Sequence, residues 1–479
     1  MKIALLISFL LLNVSVTLFI LFQKNSKLPQ AKIQLTYING IISLISSLIY
    51  SLIADRSDFG PIFVQTFGIL SVISIIAMII GVFIRELGVG QAAATNPNIK
   101  KKNKLHTFIT IFGIAIASRL IIYIVGYIYG LQALEIEPGF IKNFDSMWNK
   151  WDSIHYLNLA KYGYSATGED AKLIVFYPLY SLLVGITAKI FRNYLLSGVI
   201  ISNLCLGLGC YYLYRIVSLD FDEETAMRSV KYMLIYPLSF FFGIAYTESI
   251  FVALSIMALY YMRRNKWFLA GVFGFLAALT KNQGIILVVP AAMEYALSTQ
   301  FFDKLRKKNF KNILRNFFAK GIFLFMIPLG TFIYFAINKI LFGSWNEFLV
   351  YQKEYFNNTF GNVFENLKWI AQSAFSPEDE FRLTYWLPCI LSFLLVILLI
   401  FYSIGRLRLS YSAYMLVFLL ISYSPSWLLS GSRYIMSLAP IYISLSVLTK
   451  RKETDIVLTF VSTLLLGFYT FAFLMGRVL

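Results

Sequence analysis

The run Phe144-Asp145-Ser146-Met147-Trp148-Asn149-Lys150-Trp151-Asp152-Ser153-Ile154-His155-Tyr156-Leu157 gathers two tryptophans, two carboxylates and one of the chain's two histidines. Asp152 is flanked by aromatic side chains, Trp148 and Trp151 before it and His155 and Tyr156 after it. Such a set suits sugar chemistry. Flat aromatic faces stack on the apolar side of a pyranose, and a carboxylate takes the proton from an attacking hydroxyl. The same tryptophans and tyrosine also suit a belt that anchors a membrane boundary. Residue types alone leave both readings open.

Charged groups with a matching role occur further along. Thr280-Lys281-Asn282-Gln283-Gly284 and Tyr246-Thr247-Glu248 are polar turns between apolar stretches. A lysine so placed meets an anionic phosphate, and Glu248 orients a sugar hydroxyl or that lysine. Each is equally placed to snorkel to the membrane surface. Ser430-Gly431-Ser432-Arg433-Tyr434 adds a guanidinium suited to bidentate phosphate contact. Arg119 and Glu294 stand inside apolar runs, where an ionisable group is functional by default, although Arg119 also suits a helix–helix contact. Phe176-Tyr177-Pro178-Leu179-Tyr180 opens a helix, since proline is accommodated in a first turn and aromatics suit an interface.

The elements that must hold these residues are membrane helices. The chain has 479 residues, 58% apolar and 14% charged, against about a quarter charged in a soluble domain. A water-soluble globular enzyme is excluded. Three cysteines in apolar runs and two histidines build neither a disulfide framework nor a four-ligand zinc site. Nor does a phosphate-binding loop, dinucleotide fingerprint or nucleophile elbow occur in a fitting context, so ATP is not visibly the energy source. Apolar runs long enough for roughly 30 Å of hydrocarbon recur from end to end, and such runs cross as helices. Residues 1–90 read as a three-span accessory module whose first span is retained rather than cleaved. Residues 91–107 form a basic linker, and 108–479 the main helical module.

Charge sets the topology, because Lys and Arg stay on the cytoplasmic side. Four clusters count: Lys100 to Lys104, Arg263 with Arg264 and Lys266, Lys304 to Arg315, and Lys450 to Lys452. If the apolar helix at 173–191 crosses the membrane, the last three clusters land outside; if it turns back, all four land inside. The second arrangement is expected, with about fourteen spans and both termini outside. It makes 131–191 an outer loop with a re-entrant helix, and 343–384 a second outer loop. The second loop carries amphipathic stretches at 345–356 and 363–375 and the sequon Asn357-Asn358-Thr359. Most of the formal charge of +18 is then a topology signal, and no nucleic-acid partner is expected.

The order Trp151-Asp152-Ser153-x-His155-Tyr156-Leu157, with Ala160, Gly163-Tyr164 and then Phe176-Tyr177-Pro178-Leu179-Tyr180, resembles mannosyltransferases of the GPI mannosyltransferase II type and their prokaryotic relatives. Ser118-Arg119, Pro237 with Thr247-Glu248, Lys281-Asn282-x-Gly284, and Arg433-Tyr434 with Pro440 follow in the family's order, so the resemblance spans about residues 108–449. It implies a GT-C fold with a jaw-like helix, a polyprenyl-phosphate sugar as donor, and the role of base for Asp152. Lys281 stands where the family often has Arg, and Ser181 where it often has a second Pro.

The combined expectation is an all-α polytopic membrane protein, a GT-C glycosyltransferase-like helical bundle. It moves a hexose, mannose by resemblance, from a polyprenyl- or dolichyl-phosphate sugar to a lipid-linked or protein acceptor by direct displacement with inversion. Asp152 is the base, and Lys281 and Arg433 hold the donor phosphate. Trp148, Trp151, His155 and Tyr156 position the sugars, and Tyr177, Glu248, Asn282 and Arg119 complete the substrate-binding set. Neither a cofactor nor a metal is demanded, the lipid-phosphate sugar being a co-substrate. The active site faces away from the cytoplasm, across the plasma membrane of a prokaryote or the endoplasmic reticulum of a eukaryote. The alternative is a transporter or flippase of lipid-linked sugars. It requires paired in-span charges and symmetric broken helices in two halves, and the sequence shows neither clearly.

Overall fold

Hydrocarbon leaves a backbone no hydrogen-bond partner but itself, and the described residues answer with helices. The computed structural model describes residues 104–478 except 135, 360, 377, 427 and 429. The expected N-terminal module and most of the basic linker lie outside the described residues. Within them are nineteen α-helices and no β-strand. The chain is an all-α, multi-pass membrane protein.

Helix α1 (Lys104–Ala133) leads into a short hairpin, α2 (Phe140–Trp148) and α3 (Asp152–Tyr162), followed by α4 (Pro178–Phe191). The centre is α5 (Tyr194–Val217), α6 (Glu223–Ile235), α7 (Glu248–Arg263), α8 (Trp267–Ala278) and α9 (Val288–Thr299). Short helices α10 (Phe301–Arg306) and α11 (Phe310–Ala319) precede α12 (Met326–Phe342). Helices α13 (Glu347–Phe356) and α14 (Val363–Ala374) fill the second expected loop, close to the two amphipathic stretches read there. The chain ends in α15 (Leu387–Ser403), α16 (Leu409–Ser422), α17 (Gly431–Met436), α18 (Pro440–Leu448) and α19 (Lys452–Leu474). Helix α7 buries 14 of its 16 residues, as a helix apolar on every side must. It is the bundle's central post, and Glu248 is its first residue.

Among the described residues, five helical stretches are long and apolar enough to cross a membrane: Lys104–Ala133, Tyr194–Val217, Gly321–Phe342, Arg382–Ser403 and Lys452–Leu474. The 3₁₀ turn Glu169–Val175 and α4 pass the same test as a pair but bend by 116° at their junction. This is the segment expected, from the charge distribution, to turn back, and the bend makes it either a broken span or a re-entrant loop. Three of the fourteen or so expected spans lie outside the described residues, and within those residues unbroken helices supply fewer crossings than the rest, because several apolar segments there are short helices joined by breaks.

The breaks have local causes. Helix α6 stops at Tyr236-Pro237, where proline lacks an N–H and disfavours helix in the residue before it. Carbonyls freed there need donors inside the bilayer. Arg119, buried on α1, donates to the Leu234 carbonyl at 2.6 Å and to that of Ser239. Tyr123, one turn along, donates to the Gly243 carbonyl at 2.6 Å, and Asn203 adds a second bond to it at 2.9 Å. Arg119 therefore stitches a broken helix together, and its expected contact with substrate is corrected: its donors are spent on the scaffold. The second break follows α8, where Thr280 and Lys281 lead into a 3₁₀ turn, Asn282–Leu287. Gly284 sits so close to α8 that a Cβ would lie 2.4 Å from the Ala277 carbonyl. Only glycine fits.

Candidate active site

The α2–α3 hairpin is pinned at both sides of Lys150. Its ammonium donates to the Leu474 carbonyl at 2.5 Å, capping the end of α19, while the Tyr246 hydroxyl donates to its carbonyl at 3.0 Å. Trp151 then takes φ 56° and ψ −125°, a left-handed conformation that costs an L residue on the order of 1–3 kcal/mol. That turn makes Asp152 the first residue of α3, where the helix dipole favours a carboxylate. It also separates the two tryptophans. Trp151 is 38% exposed, whereas Trp148 is buried against Gly126 and the rings of Tyr123 and Phe473. The expectation that Trp148 positions a sugar is corrected: it is a core anchor with no face left to offer.

A cavity of about 510 Å³ opens beside Asp152, within the range of roughly 300–1,000 Å³ usual for small-molecule sites. Trp151, Asp152, His155 and Tyr156 line it from the hairpin, and Tyr177 from the bend before α4. Lys281 and Asn282 enter from the second break, and Arg433 from α17. The bend is held against that break by a hydrogen bond from the Leu179 N–H to the Leu279 carbonyl at 3.1 Å. Asp152 and Arg433, 281 positions apart in sequence, thus meet at one point.

Four charges form a chain here, three of them lining the cavity and Glu248 behind it. Arg433 Nη2 donates to Asp152 Oδ2 at 2.5 Å, and Arg433 Nε lies 3.4 Å from Glu248 Oε1. The same glutamate oxygen accepts from Lys281 Nζ at 2.6 Å. Two acids and two bases cancel, as burial requires. Arg433 also lies over the rings of Tyr246 and Phe241, at 5.2 and 5.4 Å. Hydrogen-bonding capacity remains: Arg433 Nε and Nη1 and Glu248 Oε2 are buried without a hydrogen bond, a rare state for buried polar atoms. Glu248 is 1% exposed and stands behind the two cations. Of its two expected roles, orienting the lysine is the one its geometry allows.

The aromatic residues divide by depth. His155 stacks on Phe176 with ring centres 5.2 Å apart. Burial holds its imidazole below the usual range, Asp152 pulls the other way, and Lys172 adds to the lowering. Tyr156 is buried with its hydroxyl 3.3 Å from Thr247 Oγ1, and burial followed by Asp152 pushes its phenol well above the usual range. Tyr177 stacks on Tyr334 at 3.9 Å.

Among the described residues, the cavity and the basic clusters at Arg263 and at Lys450 to Lys452 occupy opposite helix ends. Lys450 to Lys452 precede or open α19, while Lys150 beside Asp152 caps its far end. The 23 residues of that helix span about 35 Å. Likewise α7 starts at Glu248 and ends at Arg263.

A family model matches part of this chain. It describes the dolichyl-phosphate-mannose-protein mannosyltransferases and covers residues 177–337, about a third of the sequence. That stretch includes Tyr177, Glu248, Lys281 and Asn282, but neither Asp152 nor Arg433. No curated protein matches the chain. Among solved structures, ArnT from Cupriavidus metallidurans bound to undecaprenyl phosphate is similar at 14% identity and a TM-score of 0.45, covering 74% of this chain and 62% of that one. The apo oligosaccharyltransferase of Archaeoglobus fulgidus is similar at 12% identity and a TM-score of 0.37, covering 76% and 56%. The oligosaccharyltransferase AglB from the same organism, in complex with an inhibitory peptide and a dolichol-phosphate, follows at 10% identity and a TM-score of 0.35, covering 76% and 55%. This chain therefore spans less than two thirds of the length of each.

One wall escaped the sequence reading. Gln352, Phe356, Asn357 and Asn358, at the end of α13, close the cavity beside His155. The stretch was read as a helix lying at the membrane interface, and its asparagines as a sequon. Thr359 of that sequon is tied to Ser426, whose N–H donates to the Thr359 carbonyl at 2.8 Å.

Proposed function

We propose that the chain is an integral-membrane glycosyltransferase that moves a hexose from a polyprenyl- or dolichyl-phosphate sugar to an acceptor hydroxyl on the extracytoplasmic face. The observation that carries this reading is the convergence of Asp152, Arg433 and Lys281 on one aromatic-lined cavity, with Glu248 paired to both cations from behind. The partial match to mannosyltransferases that use dolichyl-phosphate mannose supports it, and mannose as the sugar rests on that match and on the sequence resemblance. The basic clusters at the opposite helix ends support the extracytoplasmic placement.

The donor's phosphate meets Lys281 and Arg433 where these two cations line the cavity. Glu248 holds both cations in place from behind. The acceptor hydroxyl gives its proton to Asp152, whose Oδ1 makes no hydrogen bond among the described residues, while its oxygen bonds to the anomeric carbon. The bond from that carbon to the phosphate oxygen breaks with inversion. The lipid phosphate leaves with the electron pair, its charge met by the two cations. Trp151, His155 and Tyr177 present the flat faces that position the sugars.

The test is turnover by the purified chain in nanodiscs with radiolabelled mannose, glucose and galactose on polyprenyl phosphate. Transfer from at least one donor to a hydroxyl acceptor is expected. Vesicle-to-vesicle movement of an intact lipid-linked sugar without transfer would favour a flippase instead.

A further inference from the structure

The basic hairpin between α9 and α12 takes no part in the cavity. Residues 301–320, which form α10, α11 and the turns beside them, hold seven lysines and arginines against one acid, Asp303. No residue of either helix is buried. Phe310, Leu314 and Phe318 recur every four residues, which places them on one face of α11, and all three are exposed. Lys311 and Arg315 each follow by one residue, about 100° round the helix, and edge that face with exposed positive charge. Lys304 caps α9 by donating to the Thr299 carbonyl at 2.7 Å. The five exposed cations, Arg306, Lys307, Lys308, Lys311 and Arg315, make no ion pair among the described residues.

Such a helix needs a cover, because so short a helix is marginal in water by itself. We propose that the cover is an anionic bilayer surface: α11 lies in the headgroup layer with its exposed phenylalanines among the acyl chains and its cations on lipid phosphates. Position on the chain favours this occupant. Helix α11 ends at Ala319, two residues before the candidate span Gly321–Phe342 begins, so the membrane edge is the surface within reach. That edge lies away from the cavity. Helix α9 follows the turn that starts at Asn282 and runs from it to Thr299, while α12 returns to Asn338, whose Oδ1 accepts from the N–H of Phe348 in the cavity wall at 2.9 Å. Residue order favours it too, since cations flanking an aromatic and aliphatic face are the pattern of helices that lie in the interface. Charge then selects the lipid, because each Lys or Arg near an anionic membrane surface adds about fivefold to binding. A second copy of this chain would bring the same cations and be repelled. The proposal stands independently of the transferase reading.

Amide hydrogen exchange over residues 301–320 reads the docking. The purified full chain is compared in nanodiscs of phosphatidylcholine alone and of phosphatidylcholine with an equal amount of phosphatidylglycerol. Exchange in α11 is expected to slow about tenfold with phosphatidylglycerol, while exchange in the buried α7 stays the same in both. Molar salt screens exposed charges, so it returns the wild-type hairpin toward its phosphatidylcholine rate without any substitution. The combined variant Lys307→Gln, Lys308→Gln, Lys311→Gln and Arg315→Gln keeps the wild-type Tm, since these side chains are exposed, and loses the response to phosphatidylglycerol. Phe310→Ser with Phe318→Ser exchanges fast in both lipids. Equal protection in both lipids, as another segment or a second copy would give, overturns the proposal. So does equal lack of protection, as a surface that awaits a soluble partner would show, or a lipid response that survives in the four-glutamine variant.

Discussion

Glu248 decides how the two cations behave at the site. Removing its charge leaves Lys281 and Arg433 buried with a single carboxylate between them, and breaking a buried pair from one side costs about 3–5 kcal/mol. Glu248→Gln should therefore lower Tm sharply in detergent, with Glu248→Asp restoring part of it. His155 makes a pH prediction. Its folded pKa lies below the ordinary 6.5, so the unfolded chain takes up the proton first as pH falls. Its contribution to stability is present above about 6.5 and declines below it. A denaturation series from pH 7.5 to 5.0 should show that decline, and His155→Gln should flatten it. The residue scale was also the most legible in sequence. Asp152, His155, Tyr156, Lys281 and Arg433 stood out because charge and aromatic density are rare in so apolar a chain. Trp148 and Arg119 misled for the same reason, since a rare residue type does not say which way its side chain points.

The elements carry the site through their breaks. Hydrophobic patterning foretold helices, but not the 116° bend or the 3₁₀ turn that begins at Asn282. Those depend on close approaches between distant segments. Gly284 is the sharpest, with a Cβ at this position meeting Ala277 backbone at 2.4 Å. Gly284→Ala should destabilise by roughly 1–3 kcal/mol and raise the donor KM, because the displaced turn carries Lys281 at its entry. Thermal denaturation together with donor titration checks both halves, and a variant with wild-type Tm and KM would show that the turn is free to shift. Helix α13 was legible as a helix, not as a wall. Its role depends on packing against the turn before α4, which no local pattern encodes.

For the whole molecule, topology and chemistry make one statement: the cavity lies at the helix ends away from the basic clusters. Cysteines introduced at Arg192 and at Arg451 should react with membrane-impermeant maleimide from opposite sides, Arg192→Cys from the side of the cavity. Labelling of both from one side would contradict the turned-back helix. The composition foretold a membrane bundle, while the pairing of Asp152 with Arg433 across 281 positions needed the fold. The central claim is that Asp152 takes the acceptor's proton in this assembled cavity. Single-turnover transfer from bound polyprenyl-phosphate mannose in nanodiscs tests it most directly, with donor affinity and Tm measured on the same samples. Asp152→Asn is predicted to bind donor and remain folded while transfer slows about 10²–10⁴-fold. Transfer at the wild-type rate by that variant would contradict the account.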